Sequence, residues 1–286
     1  MNENQLVNII AERAQQSLNI RKDIALQIDS LCSDVFDFIK QYGEQFNNCH
    51  KEEIKYSMLH LGNVAELSSQ IALLQQNSKN VGMILLARSA IEECSLIFYL
   101  INECNKSSME VSKFYKYLVY KDMLQDRDII NNWGDADILY YNRFCNNLNK
   151  YFSEEISYFN VPQYSESNTS FTEEEIDIIN KAINYLFKKI GKDYSATKIV
   201  KQMLNDIDTI DDDKNSRDII YPSLCHYTHF NISAIDELCI CSINETNYIS
   251  FNNNCDELIP AMRAVYVSFQ YIFSRFKEFV IDYFNG

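Results

Sequence analysis

The chain has 286 residues, of which 47% are hydrophobic and 13% aromatic, and this is enough apolar material to bury a substantial core. Its formal charge of −14 argues against non-specific binding to nucleic acid, which depends on a basic surface, so any contact with RNA or DNA must be local. Only 6 glycines and 3 prolines are present, too few for a turn-rich β-sandwich or barrel, and we expect an all-α, multi-helix bundle.

The first part of the chain shows four helical patterns. Apolar residues recur at steps of three and four from Glu3 to about Phe46 and again from about Glu52 to Gln76, which predicts two N-terminal helices within residues 1–78. A third apolar run extends from Val81 to Ile101. A fourth, amphipathic pattern from about Met109 to Asn131 mixes aromatic side chains with lysines.

The third run is long enough to span a bilayer, but three charged residues stand at its middle. Arg88, Glu92 and Glu93 would each be expensive in lipid. We therefore interpret Val81 to Ile101 as a central core helix and expect no contact with a membrane.

The helical pattern weakens in the middle of the chain. We predict an irregular insertion over residues 132–170, built around one short helix from about Asp135 to Phe152. Thr172 and Glu175 then have the spacing of a capping box, in which each side chain satisfies a backbone donor of the other. A helix is therefore predicted to begin there and to run to Ile190.

Three further segments follow. Ser195 is predicted to cap a helix that extends to about Ile207, and Asp208 to Asp213 is predicted to be a solvated acidic loop. Pro222 suits the first turn of a short helix, where its missing backbone donor is no loss. The segment from Cys239 to Phe251 has some strand-like alternation and stays ambiguous.

A long C-terminal helix, residues 256–284, completes the pattern. We expect a single helical domain over residues 1–286, with no boundary that composition marks. Residues 79–131 and 195–234 are expected to form the core that carries the functional site.

The chain has nine cysteines, an odd number, and they are irregularly spaced. The amino terminus shows no leader of basic and then apolar residues. These features indicate reduced thiols in a cytoplasmic protein. The residues Cys225, His226, His229, Cys239 and Cys241 fall close together, but they lack the paired Cys-x-x-Cys spacing of structural zinc. We expect no metal and no cofactor.

Two polar constellations interrupt the apolar helical patterns. Arg88 and Glu92 are four positions apart and so project from one helix face, where they can form an ion pair. His226 and His229, half of the four histidines, lie one turn apart on the short helix that begins near Tyr221. Tyr221, His226 and His229 are candidate catalytic residues together with Arg88 and Glu92. Each constellation can be a structural network that ties helices together or a site of chemistry, and both interpretations stay open.

At these residues the sequence resembles a known family. The motifs Arg88-Ser-x-x-Glu92 and Tyr221-x-x-Leu224-x-x-x-x-His229 resemble the bacterial helical family catalogued as domain of unknown function 5677, over Val81 to Asn131 and Ser195 to Ala234. Members are similar to HEPN domains, helical bundles of which many cleave RNA without metal in toxin and phage-defence systems. The resemblance implies an all-helical fold with a cluster of Arg88, Glu92 and His229 at the bundle centre.

The implied chemistry assigns a role to each member of the cluster. His229 would act as general base on a ribose 2′-hydroxyl, Arg88 would stabilise charge on the phosphate, and Glu92 would fix the arginine. In the usual HEPN pattern the arginine and the histidine lie on one helix start with about four to six residues between them. Here Arg217 precedes His226 by nine positions, so Arg88 would have to come from another helix.

RNA binding by an acidic protein also needs a local basic patch with aromatic faces. The candidates are on the fourth predicted helix, where lysines alternate with aromatic side chains: Lys113, Lys116, Tyr117, Tyr120 and Lys121. The alternative interpretation is a solvated helix face.

Two functions remain. The first is a HEPN-like, metal-independent ribonuclease or toxin-type effector in phage defence, restrained by a protein partner or by homodimer formation, with RNA as its substrate. The second is a non-catalytic helical module for protein interaction, in which Arg88, Glu92 and His229 form a structural polar core.

Overall fold

The structure is a computed structural model that describes residues 3–76, 80–104, 108–133, 138–163, 170–190, 195–210, 221–228, 240–243, 246–249 and 258–285. The all-α prediction is confirmed. The helices, in chain order, are α1 (Glu3–Asn48), α2 (Glu52–Gln76), α3 (Asn80–Cys104), α4 (Ser108–Trp133), α5 (Ile138–Tyr151), α6 (Glu173–Ile190), α7 (Ala196–Ile210), α8 (Tyr221–Thr228) and α9 (Leu258–Asn285).

One short hairpin accompanies the helices, within the segment whose alternation was strand-like. Strand β1 (Ile240–Ile243) pairs antiparallel with β2 (Thr246–Ile249), and Ile243 lies opposite Thr246. The hairpin does not change the fold class.

The chain packs as two compact units. One unit comprises Met1–Asn105 and Ala196–Gly286, and the other comprises Lys106–Ser195. The helices of the first unit are therefore α1, α2, α3, α7, α8 and α9, while α4, α5 and α6 belong to the second. That residues 1–286 act as a single domain stays a prediction.

In the first unit, α1, α2 and α3 run alternately up and down. The Cys32 thiol of α1 donates to the backbone oxygen of Ala65 in α2, 3.3 Å away, which fixes the register of this antiparallel pair. Apolar side chains that the sequence placed on one face of α1 are buried: Ile24, Ile28, Leu31, Val35 and Phe38. Burial of this stripe, rather than intrinsic propensity, supplies most of the stability of such helices.

Aromatic side chains join α9 to α1. The ring centroid of Phe38 lies 5.6 Å from that of Phe273, and Phe46 lies 5.9 Å from Phe284. Because the contact partner moves toward the end of α9 as the residue number in α1 rises, the two helices run parallel. Phe276 is fully buried and stacks on Phe46 with their ring centroids 6.2 Å apart.

In the second unit, α6 begins with the predicted capping box. The backbone N–H of Thr172 donates to Glu175 Oε2 at 2.8 Å, and the N–H of Glu175 donates to Thr172 Oγ1 at 3.3 Å. This confirms the start of the helix predicted there. The short helix predicted inside the insertion is also present, as α5, and Arg143 of that helix forms an ion pair with the largely buried Asp126 of α4.

Of two helix boundaries predicted in the first unit, the structure confirms one and corrects the other. Tyr221 and Pro222 open α8, as the proline predicted. However, α7 continues to Ile210, so Asp208 is helical and does not begin the predicted acidic loop. The rest of that loop, residues 211–213, lies outside the described residues.

The described cysteine side chains are thiols, and four of them are buried in the two cores: Cys32, Cys49, Cys94 and Cys145. Burial raises the pKa of Cys32 to about 12, so this thiol stays protonated and packs as a small apolar group. Across the described ranges, every helix is too short or too polar to cross a membrane.

Candidate functional site

The Arg88 and Glu92 side chains meet on one face of α3. The Nε–H of Arg88 donates to Glu92 Oε1 at 2.8 Å, as their spacing of four predicted. The Arg88 side chain is 25% exposed and that of Glu92 is 36% exposed. The pair therefore lies at the edge of the core and is partly open to solvent.

A third residue reaches this pair from α8. The hydroxyl of Tyr221 donates to Glu92 Oε1 at 3.0 Å, so one carboxylate oxygen accepts from both Arg88 and Tyr221. The tyrosine is only 2% exposed. It comes to this position because α8 packs against α3 and begins with Tyr221 itself.

The negative charge of Glu92 affects the pKa values of both Arg88 and Tyr221. Partial burial acts to lower the pKa of Arg88, but the hydrogen bond and negative charge of Glu92 outweigh burial, and the pKa is raised. Burial, followed by the charge of Glu92, raises the pKa of Tyr221 as well. The arginine is therefore a permanent cation, and the tyrosine is a neutral donor near pH 7.

Cys225 completes the described part of the site. It is half-buried and lies one turn after Tyr221 on α8. Its thiol adds to the effects that raise the pKa of Tyr221 and of Arg88. The described site thus contains one cation, one carboxylate, one phenol and one thiol.

The two histidines predicted beside this site are not placed by the structure. His226 falls within α8, but its side chain lies outside the described residues, and so does the whole of His229. The catalytic roles assigned to them stay predictions. The structure does place the start of α8, at Tyr221, and both histidines follow Tyr221 in the sequence.

A second polar pair on α3 was not predicted from the sequence. Glu93 Oε2 lies 2.6 Å from Nδ1 of His60 in α2, and each side chain is 23% exposed. A signal was present, since a carboxylate inside an apolar helix needs a partner and His60 is the one histidine within the α2 pattern. Sequence spacing alone does not show which helix supplies that partner.

The lysines and tyrosines predicted to bind RNA lie on α4 and do not form one exposed surface. Tyr117 and Tyr120 are buried, so their rings do not present faces on which bases can stack. Lys116 pairs with Glu155, with Nζ and Oε1 2.7 Å apart. Lys113 and Lys121 are exposed, and a role for them in binding RNA stays a prediction.

Among the side chains that the structure describes, no group of three or more His, Cys, Asp and Glu residues is placed to hold a metal ion. Most side chains of the cysteine and histidine cluster noted in the sequence lie outside the described residues. Only the side chain of Cys225 belongs to the described part.

Comparison with known proteins gives one match. The model of a family of unknown function (DUF5677) matches residues 54–247, which is more than half of the chain and includes Arg88, Glu92 and Tyr221. No curated protein and no solved structure matches significantly.

Proposed function

We propose that this chain, which belongs to the family of unknown function DUF5677, is a metal-independent ribonuclease of the HEPN-like kind. The observation that carries the proposal is the shared carboxylate of Glu92. It holds the Arg88 guanidinium at the edge of the core and, through Tyr221, fixes the start of the helix from which His226 and His229 follow.

Arg88 suits a role in binding an RNA phosphate. A guanidinium is permanently charged and presents several donors in a plane, which matches the oxygen atoms of a phosphate. Glu92 holds the Nε side of the group, and the Arg88 side chain as a whole is 25% exposed. A cation oriented in advance stabilises negative charge that develops on the phosphate in the transition state.

His229 is the proposed general base. It takes the proton of the ribose 2′-hydroxyl, whose oxygen attacks the adjacent phosphorus. The products are a 2′,3′-cyclic phosphate and a 5′-hydroxyl, and no metal takes part. Tyr221 acts as a positioning residue, because its hydrogen bond to Glu92 places α8 against α3.

Because the net charge is −14, the surface as a whole does not attract RNA. The proposal therefore requires that RNA bind through local contacts at this site. Unrestrained cleavage of RNA would harm the cell that makes the protein. The proposal therefore includes control by a protein partner or by homodimer formation, as in a toxin-type effector of bacterial phage defence.

The test is cleavage of total RNA by the purified protein in the presence of EDTA. Wild type is expected to cleave, while Arg88→Ala and His229→Ala lose most of the activity. His50→Ala is the matched control, since this exposed histidine lies between α1 and α2. If wild type is inactive, or if Arg88→Ala cleaves as fast as wild type, the proposal fails.

A second candidate function is a non-catalytic module for protein interaction. It is favoured by the burial of Tyr221, since two donors on one carboxylate also make an effective structural tie between α3 and α8. In that case wild type and the Arg88→Ala and His229→Ala variants are equally inert toward RNA, and the variants melt at lower temperature than wild type.

A further inference from the structure

The second unit is much less acidic than the rest of the chain. Residues 106–195 contain 11 lysine and arginine residues and 14 acidic residues, a net charge of −3, whereas the remaining residues carry −11. Most of the charge that repels an anionic partner therefore belongs to the first unit.

The helices of the second unit bring several lysines to one end. The rings of Tyr115 in α4 and Tyr151 in α5 have centroids 5.4 Å apart, and Asp126, later in α4, pairs with Arg143, earlier in α5. These two helices are therefore antiparallel, and the contacts between α4 and α6 show the same for that pair. The end of the unit at which α4 begins is thus the end at which α5 and α6 finish. Lysines occupy the last turns of these two helices: Lys150, Lys188 and Lys189.

An exposed tyrosine stands at this basic end, by which we mean the last turns of α5 and α6 and residues 152–159. Tyr158 is 82% exposed, although its neighbours are fixed. The N–H of Phe159 donates to the backbone oxygen of the buried Ile156 at 2.8 Å, and the Phe159 ring packs on Tyr185 of α6, with centroids 5.6 Å apart. An anchored turn therefore presents the Tyr158 ring to solvent.

Lys189 belongs to the same surface. Its Nζ lies 5.1 Å from the centroid of the Tyr185 ring. The hydrogen bond and the charge of Tyr185 are the main causes that raise the pKa of Lys189, and Tyr158 and Glu155 add to them. The carboxylate of Glu155 is itself paired with Lys116, with Oε1 and Nζ 2.7 Å apart. The basic end thus combines lysine charge with an exposed aromatic ring.

We propose that the basic end of the second unit binds single-stranded RNA, with a base stacked on Tyr158 and backbone phosphates beside Lys188 and Lys189. Lysines that neutralise phosphates release counterions from the nucleic acid, and an exposed ring stacks on an unpaired base of any sequence. The bases of a duplex already stack on one another, so the ring favours a single strand. In naming RNA the inference rests on the proposed function, while binding is measured separately from cleavage.

The lysines alone have a structural explanation, because a cation in the last turn of a helix interacts favourably with the helix dipole. The dipole does not explain why an aromatic ring beside them stays in solvent, since its burial would stabilise the fold. An acidic protein partner would match the lysines but has no bases to stack on the ring. Single-stranded RNA accounts for both features.

The test uses the full chain and a fluorescein-labelled RNA of about 16 nucleotides without self-complementary sequence. Every ribose carries a 2′-O-methyl group, which blocks the attack that cleavage requires. Fluorescence anisotropy measures Kd over a range of KCl concentrations for wild type, Tyr158→Ala, Tyr158→Phe and the double variant Lys188→Ala/Lys189→Ala. The matched control is Lys40→Ala/Lys201→Ala, which removes two exposed lysines from the first unit. Duplex RNA and polyglutamate are the competitors, and melting curves establish that each variant is folded.

Each lysine that contacts a phosphate of a single strand contributes about 0.7 to the slope of log K against log salt, so the Lys188 and Lys189 double variant should lose about 1.4 of that slope. Tyr158→Ala should bind about 5- to 100-fold more weakly than wild type, while Tyr158→Phe and the control stay close to it.

The proposal is overturned if wild type does not bind the RNA, or if Tyr158→Ala and the Lys188 and Lys189 double variant bind it as wild type does. Duplex RNA that competes as well as the single strand also overturns it, and polyglutamate that does so indicates an acidic protein partner instead. Binding at the basic end without cleavage of total RNA ends the proposed ribonuclease and leaves this surface standing. Cleavage with binding unchanged in these variants has the opposite meaning.

Discussion

The hydroxyl of Tyr221 donates to the oxygen of Glu92 that also accepts the Nε–H of Arg88, although 129 positions separate the tyrosine from the glutamate. This bond joins the first residue of α8 to the middle of α3. Because the tyrosine is buried, water competes little for the bond. The position of α8 and the orientation of Arg88 therefore depend on the same carboxylate.

Tyr221→Phe should destabilise the first unit modestly. The ring still fills its place in the core, so the loss is that of one hydrogen bond to a partly exposed carboxylate, about 1 kcal/mol. We expect Tm to fall by about 2–4 °C. The matched control is Tyr158→Phe at an exposed position, and a Tm for Tyr221→Phe equal to that of this control would contradict the role of the bond.

Phe276→Ala should be much more destabilising than Phe36→Ala. Phe276 is fully buried between α9 and α1 and stacks on Phe46, whereas Phe36 is 47% exposed. Removal of a buried phenyl ring costs about 3–5 kcal/mol, and removal at an exposed site costs about 0.5 kcal/mol or less. Urea unfolding measures both, and similar midpoints for the two variants would show that α9 does not pack in this way.

Thr172→Ala should weaken the start of α6. Loss of a capping side chain costs about 1 kcal/mol, and Thr172→Ser retains the hydroxyl and should be close to wild type. Hydrogen exchange of the first-turn amides of α6 is the measurement. Faster exchange is expected in the alanine variant alone, and equal rates in both variants would argue against the capping box.

Tyr120→Phe should stabilise the second unit, most of all at high pH. The Tyr120 hydroxyl is buried with no hydrogen-bond partner in the described structure, and removing such a group recovers its desolvation cost, about 1 kcal/mol at pH 7. Burial raises the pKa of Tyr120 to about 12, from about 10 in the unfolded chain.

The sign of the pH effect follows from that shift. The raised pKa means that the folded state resists ionisation of Tyr120, so ionisation costs no stability below pH 10. As the pH rises from 10 toward about 12, the unfolded chain loses this proton more readily than the folded state, and wild type loses stability. The difference in unfolding free energy between Tyr120→Phe and wild type should widen over this interval. A constant difference from pH 9 to pH 12 would contradict the raised pKa.

Local patterns in the sequence predicted much of the fold. The periodic burial of α1 and the capping box at Thr172 each depend on residues within a few positions of one another, and both are present. The pair of Arg88 and Glu92 is equally local, since one helical turn brings the two side chains together.

The rest depended on which helices pack together, and spacing along the chain carries no such information. The partner of Glu93 is 33 positions away on α2. Tyr117 and Tyr120 looked like parts of a surface because lysines alternate with them, but packing within the second unit buries both rings. The sequence can show that a side chain is amphipathic or charged without showing what covers it.

The first unit is built from two stretches of chain that the second unit separates. During translation α1, α2 and α3 are made before α9, so the aromatic side chains that α9 covers stay open until α9 has been made. The second unit is continuous and can finish folding earlier. Until α9 emerges, a newly made chain therefore exposes apolar surface of the kind that favours aggregation and that chaperones bind.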